Sequence, residues 1–132
     1  PYQLYRGQVV SFIDQAGTRT PWSPELTLGA SAAYEINTEI GTFTPYAQFY
    51  YSDGYNTSNL LANDPNHYQE SYTKTDLRLI WDDPSDMYAI EIFVENLENE
   101  AVLARGNNNS DDIVQTSYLY PRNQGIKFKA RF

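Results

Sequence analysis

Gly125-Ile126-Lys127-Phe128-Lys129-Ala130-Arg131-Phe132 reads as a strand with two unlike faces. Ile126, Phe128, Ala130 and Phe132 alternate with Lys127, Lys129 and Arg131. A period of two is the spacing of a β-strand, whose successive side chains point to opposite sides. A water-soluble domain rarely sets three cations on one face of its last strand and closes on an aromatic residue. A transmembrane barrel does so naturally, because lipid bathes its outside and water its inside. The remaining question is whether the rest of the chain repeats the pattern.

It does, in four further segments. In 25–36, Leu26, Leu28, Ala30, Ala32, Tyr34 and Ile36 alternate with Glu25, Thr27, Gly29, Ser31, Ala33 and Glu35. In 43–52, Phe43, Pro45, Ala47, Phe49 and Tyr51 oppose Thr44, Tyr46, Gln48, Tyr50 and Ser52. In 73–81, Thr75, Leu77, Leu79 and Trp81 oppose Lys74, Asp76 and Arg78. In 87–95, Tyr88, Ile90, Ile92 and Val94 oppose Glu91 and Glu95. With the last strand near 122–132, this predicts an all-β, antiparallel meander of about five amphipathic strands.

The connections alternate in length as well. Residues 37–42 and 82–86 have the Gly, Asn, Asp, Pro and Ser content of tight turns. Residues 52–71 and 97–118 are long and polar, and 1–23 reads as part of a third long external loop. Tyr34, Phe43, Trp81, Tyr88 and Phe132 fall at the short-turn end of the apolar faces, whereas Trp22, Tyr51 and Tyr120 fall near the long-loop end. Two aromatic belts around an aliphatic band are the mark of membrane interfaces. Tyr34, Phe43, Trp81 and Tyr88 are accordingly assigned to an aromatic girdle.

Composition limits the function classes. The chain has 132 residues, of which 15% are aromatic, with twelve tyrosines, a residue suited to surfaces that are half apolar and half wet. The net charge of −8, with nine Lys and Arg in all, argues against a nucleic-acid surface. The absence of cysteine excludes disulfides and thiolate metal sites. No segment reaches the run of about eighteen apolar residues that a membrane helix needs, whereas barrel strands need only about nine to eleven. The start at Pro1 predicts either processing or a longer parent chain.

Catalysis is not expected, and neither is a cofactor or metal. His67, the single histidine, sits among Asn63, Asp64 and Asn66 and reads as a solvated loop residue; one histidine supplies neither a catalytic dyad nor a metal cluster. The Asn- and Asp-rich run 106–112 lacks calcium-loop spacing and reads as a polar loop. Asp82, Asp83 and Asp86 have the composition of a solvent-facing turn.

Four stretches resemble the C-terminal end of TonB-dependent outer-membrane receptors. They are Gly17-Thr18-Arg19-Thr20-Pro21-Trp22-Ser23-Pro24-Glu25, similar to the family's G-x-x-x-P-x-x-P-x stretch, and Asp76-Leu77-Arg78-Leu79-Ile80-Trp81 before an acidic proline turn. Next comes Val94-Glu95-Asn96-Leu97-Glu98-Asn99-Glu100, similar to the family's NLTDE segment with Asn99 in place of aspartate. The fourth is Pro121-Arg122 followed by Gly125-Ile126 and Arg131-Phe132. Each is weak alone; their order and spacing over most of the chain make the resemblance specific.

The resemblance implies the last strands of a barrel of about twenty-two, filled by an N-terminal plug that nothing in this chain matches. It implies a bacterial outer-membrane location and import of a scarce nutrient such as a siderophore or carbohydrate. The implied partners are outer-membrane lipid, the remainder of the barrel and its plug, the TonB complex acting through the plug, and the barrel assembly machinery. Gly125, Ile126, Phe128 and Phe132 stand at the places of the assembly signal, with Ala130 where the family has a larger residue. Tyr46, Gln48, Tyr50, Asp76, Arg78, Glu91, Glu95, Lys127, Lys129 and Arg131 would line the lumen. Trp22, Tyr55, Tyr68 and Arg105 would serve ligand capture on external loops. Two other classes stay open on the residues alone: a soluble β-sandwich carbohydrate-binding module, and a passive porin-like barrel. The sandwich requires the Leu, Ile and Val faces to meet in a closed core, and the porin requires an even strand number.

Overall fold

The computed structural model describes residues 2–5, 8–11, 16–17, 19–57, 67–108 and 114–131. Its strands are β1 (Tyr2–Tyr5), β2 (Gln8–Ser11), β3 (Thr27–Ala33), β4 (Ile36–Thr38), β5 (Gly41–Ser52) and β6 (Tyr55–Asn56), then β7 (Tyr68–Gln69), β8 (Tyr72–Asp82), β9 (Tyr88–Glu95), β10 (Leu103–Asn108), β11 (Val114–Tyr118) and β12 (Asn123–Ala130). The principal sheet runs β12-β9-β8-β5-β3, with β4 also on β5, and every pairing is antiparallel. Spatial order follows chain order, as in a meander. At 12 and 11 residues, β5 and β8 have the length a tilted membrane strand needs.

The expected strand at 25–36 is interrupted, and proline explains where. Tyr34 and Glu35 lie between the registered pairs Ala33–Tyr46 and Ile36–Phe43, so the register does not slip. Tyr34 donates its N–H to the Pro45 carbonyl at 3.2 Å. Pro45 has no N–H to give back, so the ladder loses one rung there. Alternation alone does not register this loss, because Pro45 sits in the correct apolar phase.

The first short turn is tighter than composition predicted, and the second falls one residue later at the expected length. Only Glu39 and Ile40 join β4 to β5. Between β8 and β9, the Asp83 N–H bonds the Tyr88 carbonyl and the Asp86 N–H bonds the Asp83 carbonyl, each at 2.9 Å. Asp86 takes a left-handed φ of 57°, which Asp tolerates better than most residues. At the opposite end the long connections are not plain loops: one carries the β6–β7 hairpin and the other the β10–β11 hairpin.

Burial is inverted relative to a soluble sheet. On the aliphatic face Ile126 is 72% exposed, Phe128 63%, Ile92 51% and Leu79 41%. Among the described residues no second sheet covers this face, so the closed core that a sandwich requires is missing. The buried residues gather instead at the long-connection end: Tyr55, Val102 and Leu103 with Ser52, Thr57, His67, Gln69 and Asn96. His67, expected in solvent, is fully buried. The His67 carbonyl accepts both the Thr57 N–H at 2.7 Å and the Thr57 hydroxyl at 3.0 Å.

Candidate functional site

Strand pairing assembles one polar wall. Gln48 stands opposite Asp76, and Tyr46 opposite Arg78, which is in turn opposite Phe93 and then Gly125. Ile80, Glu91 and Lys127 form the next row. Arg78 reaches Glu95 at 3.1 Å, and its guanidinium lies 5.9 Å from the Tyr46 ring centre. Lys127 pairs with Glu91 at 3.1 Å and sits 4.4 Å over the Phe93 ring. The Tyr46 hydroxyl donates to Gln48 Oε1 at 2.8 Å. These pairs are partly solvated, so each contributes at most about 1 kcal/mol; their main effect is to orient the wall.

Two of the cations expected on this wall, Lys129 and Arg131, stand towards its short-turn end. Lys129, on the same face of β12 as Lys127, is opposite Ala89, and Arg131 falls beyond β12, where it pairs with Asp86 of the short turn. At that same end Trp81 donates its indole N–H to the Ile40 carbonyl at 2.9 Å, and Tyr88 stacks on Phe128 with centroids 6.0 Å apart. Phe43 is the registered partner of Trp81, and Tyr34 is 72% exposed. Gly125, Ile126 and Phe128 lie on β12, which among the described residues pairs only with β9; Phe132 lies outside the described residues.

The other end of the wall is closed by a turn that sequence reasoning named but did not explain. Asn96, at φ 56°, is 2% exposed. Its side chain donates to the Glu100 carbonyl and accepts the Glu100 N–H, both at 2.9 Å, while its own N–H bonds Asp76 Oδ1 at 2.8 Å. Asn99 Oδ1 accepts the Arg122 N–H at 3.0 Å. Glu98 accepts the Thr75 N–H at 2.8 Å and the Thr75 hydroxyl at 2.5 Å. Desolvation pushes the Glu98 carboxyl up, but the two Thr75 bonds, its own backbone N–H and the charge of Arg122 together hold the group below its ordinary value.

Of the residues assigned to ligand capture, two meet. The Trp22 and Tyr55 rings lie 5.8 Å apart, and the Trp22 N–H bonds the Asn56 carbonyl at 2.8 Å. Tyr55 is buried and its phenol is pushed up by desolvation, whereas Tyr68 is 47% exposed. The Arg105 backbone belongs to β10, and its side chain lies outside the described residues. Beside Tyr68 the structure adds a polar groove of about 430 Å³ lined by Arg19, Glu25, Asp53, Gly54, Glu70 and Ser71. No periodicity links these positions, so sequence gave no signal for it. Among the described residues no group of His, Asp and Glu could hold a metal ion.

No protein-family model and no curated protein matches the chain. One solved structure matches well: the ferric yersiniabactin uptake receptor FyuA from Yersinia pestis superposes with a TM-score of 0.74 at 22% identity, over 88% of this chain and 17% of that one. The chain has the fold of a β-barrel segment of a TonB-dependent receptor. That fold accounts for the inverted burial. A barrel segment turns its aliphatic face outward and its charged face inward, the reverse of a soluble domain. It also accounts for the two sheet edges, since β12 and β3 each pair on one side only within the described residues. The chain spans less than a fifth of the receptor it matches.

Proposed function

We propose that residues 1–132 form the C-terminal barrel portion of a TonB-dependent outer-membrane receptor that imports a scarce nutrient, with a ferric siderophore or a carbohydrate as the cargo classes to test. The inverted burial carries this reading. Leu79, Ile92, Ile126 and Phe128 are exposed, while the opposite face is organised by the Arg78–Glu95 and Lys127–Glu91 pairs. In lipid the exposed face is the favourable one, and the two open edges require further strands because unpaired backbone groups there cost several kcal/mol each, roughly.

In this reading Tyr46, Gln48, Tyr50, Asp76, Arg78, Glu91, Glu95, Lys127 and Lys129 face the lumen and a plug supplied by the rest of the protein. The TonB complex acts through that plug. Residues 1–23 belong to an external loop, and Trp22, Tyr55, Tyr68 and Arg105 serve capture. Strand β12, with Gly125, Ile126 and Phe128, offers its outer edge to the assembly machinery by main-chain pairing, and Phe132 belongs to the same signal.

An antibody against residues 103–132, used on membrane fractions with heated and unheated samples side by side, tests the reading. The expected result is a heat-modifiable outer-membrane band of roughly 70–100 kDa, the size of about twenty-two strands with long loops and a plug. A soluble band of chain size, 15.2 kDa, overturns it. Growth of a deletion strain on single iron or sugar sources then separates the cargo classes.

A further inference from the structure

The three long connections are joined to one another, and the second is common to both junctions. Between the first and second, the Trp22 N–H bonds the Asn56 carbonyl at 2.8 Å, the two rings of Trp22 and Tyr55 meet at 5.8 Å, and the Asp53 N–H bonds the Leu26 carbonyl at 2.9 Å. Trp22 takes φ 61° to do this, a conformation few non-glycine residues adopt without compensating contacts. Between the second and third, Gln69 Oε1 accepts the Leu103 N–H at 2.5 Å while Gln69 Nε2 donates to the Glu70 carbonyl at 3.0 Å. Gln69 is 5% exposed, Val102 1%, Leu103 6% and Thr57 6%. These are among the best-buried of the described residues, and they lie outside the principal sheet.

We infer that the described residues of the three connections fold as one rigid cap, in which Gln69 is the tie that couples the β6–β7 hairpin to the β10–β11 hairpin. A buried amide whose oxygen and nitrogen are both used can be broken only by leaving polar groups unpaired, so the hairpins separate together or not at all. The polar groove takes its walls from this cap, with Arg19 and Glu25 from the first connection and Asp53, Tyr68 and Glu70 from the second. Its shape is therefore set by a junction some distance away in sequence, and a ligand that reshapes the groove moves all three connections.

Hydrogen exchange on the intact protein tests this with Gln69→Ala. The amides to follow are Leu103, which loses its acceptor, Leu119, which bonds the Val102 carbonyl, and Thr57 and Trp22, which report the other two connections. The expected result is exchange faster by about tenfold or more at all four, with β5 and β8 unchanged. Acceleration confined to Leu103 overturns the proposal, because the connections then open independently. Should Gln69→Ala also open the sheet, Tyr55→Leu decides from the other side. Loosening Trp22 in that variant must accelerate Leu103, and an unchanged Leu103 overturns the coupling.

Discussion

The Phe93 ring lies directly against Gly125, its registered partner on β12; a Cβ at Gly125 would stand 3.1 Å from Phe93 Cζ and 3.2 Å from Cε1. The ring fills the space left by the missing side chain and carries Lys127 above it. An aromatic covering a glycine on the neighbouring strand recovers packing that the glycine itself cannot supply. Gly125→Ala is expected to cost about 1 kcal/mol, and Gly125→Val about 1–3 kcal/mol, by displacing the ring. With Phe93→Ala in a double-mutant cycle the two effects should be clearly non-additive, measured by urea titration in detergent. Full additivity would show that the ring and the glycine do not act on each other.

Gly41 performs a related job at the short-turn end. Its φ of +124° is a left-handed value, and an added Cβ would stand 2.6 Å from Trp81 Nε1 and collide with the Asp82 carbonyl. Gly41→Ala should destabilise by about 2–4 kcal/mol, from backbone strain and steric overlap together. It should also free the Trp81 indole from the Ile40 carbonyl, so the tryptophan emission spectrum should shift along with the midpoint.

Asn96→Ala removes both bonds to Glu100 and places alanine at a left-handed φ. A loss of about 2–4 kcal/mol is expected, because Glu100 is left with unmet backbone groups. Asn96→Asp keeps the acceptor for the Glu100 N–H and should lose less. Denaturant midpoints of the two variants give the comparison, and equal losses would mean that the bond accepted from the Glu100 N–H, which only Asn96→Asp keeps, contributes nothing.

Acid should loosen the same turn. The Glu98 carboxyl is held below its ordinary value of 4.5 in the folded chain. A depressed folded-state value contributes stability that is present above the unfolded value, and that stability is lost as pH falls through the folded one. Wild type should therefore lose stability below about pH 4.5, and Thr75→Val, which deletes the hydroxyl donor, should show a smaller acid dependence in the same window. Parallel pH profiles for the two proteins would remove Glu98 from the account.

Much of the fold could be read from the residues because a strand's period is a local property. Leu77-Arg78-Leu79-Ile80-Trp81 or Gly125-Ile126-Lys127-Phe128 needs no partner to declare its faces, and short turns force neighbouring segments to pair in chain order. The polar wall followed from the same alternation, although Arg131 runs past the strand end to the turn at Asp86. Phe93, an aromatic between Glu91 and Glu95, was a visible irregularity on the polar face, but its meaning depended on Gly125 across the ladder.

What alternation cannot encode, the tertiary structure decided. Pro45 has the correct phase for a strand, and its missing N–H matters only once Tyr34 stands opposite. Strands as short as β6 and β7 have no period to detect, so the folded hairpins inside the long connections were not foreseen. His67 looked solvated among polar neighbours and is fully buried, its carbonyl bonded by Thr57 of the facing strand region. The tie from Gln69 to Leu103 spans 34 positions. Local sequence determined which face of each strand is apolar and which is polar. Contacts between distant residues determined the cap, the Asn96 turn and the groove, because satisfying buried polar groups depends on where the whole chain brings their partners.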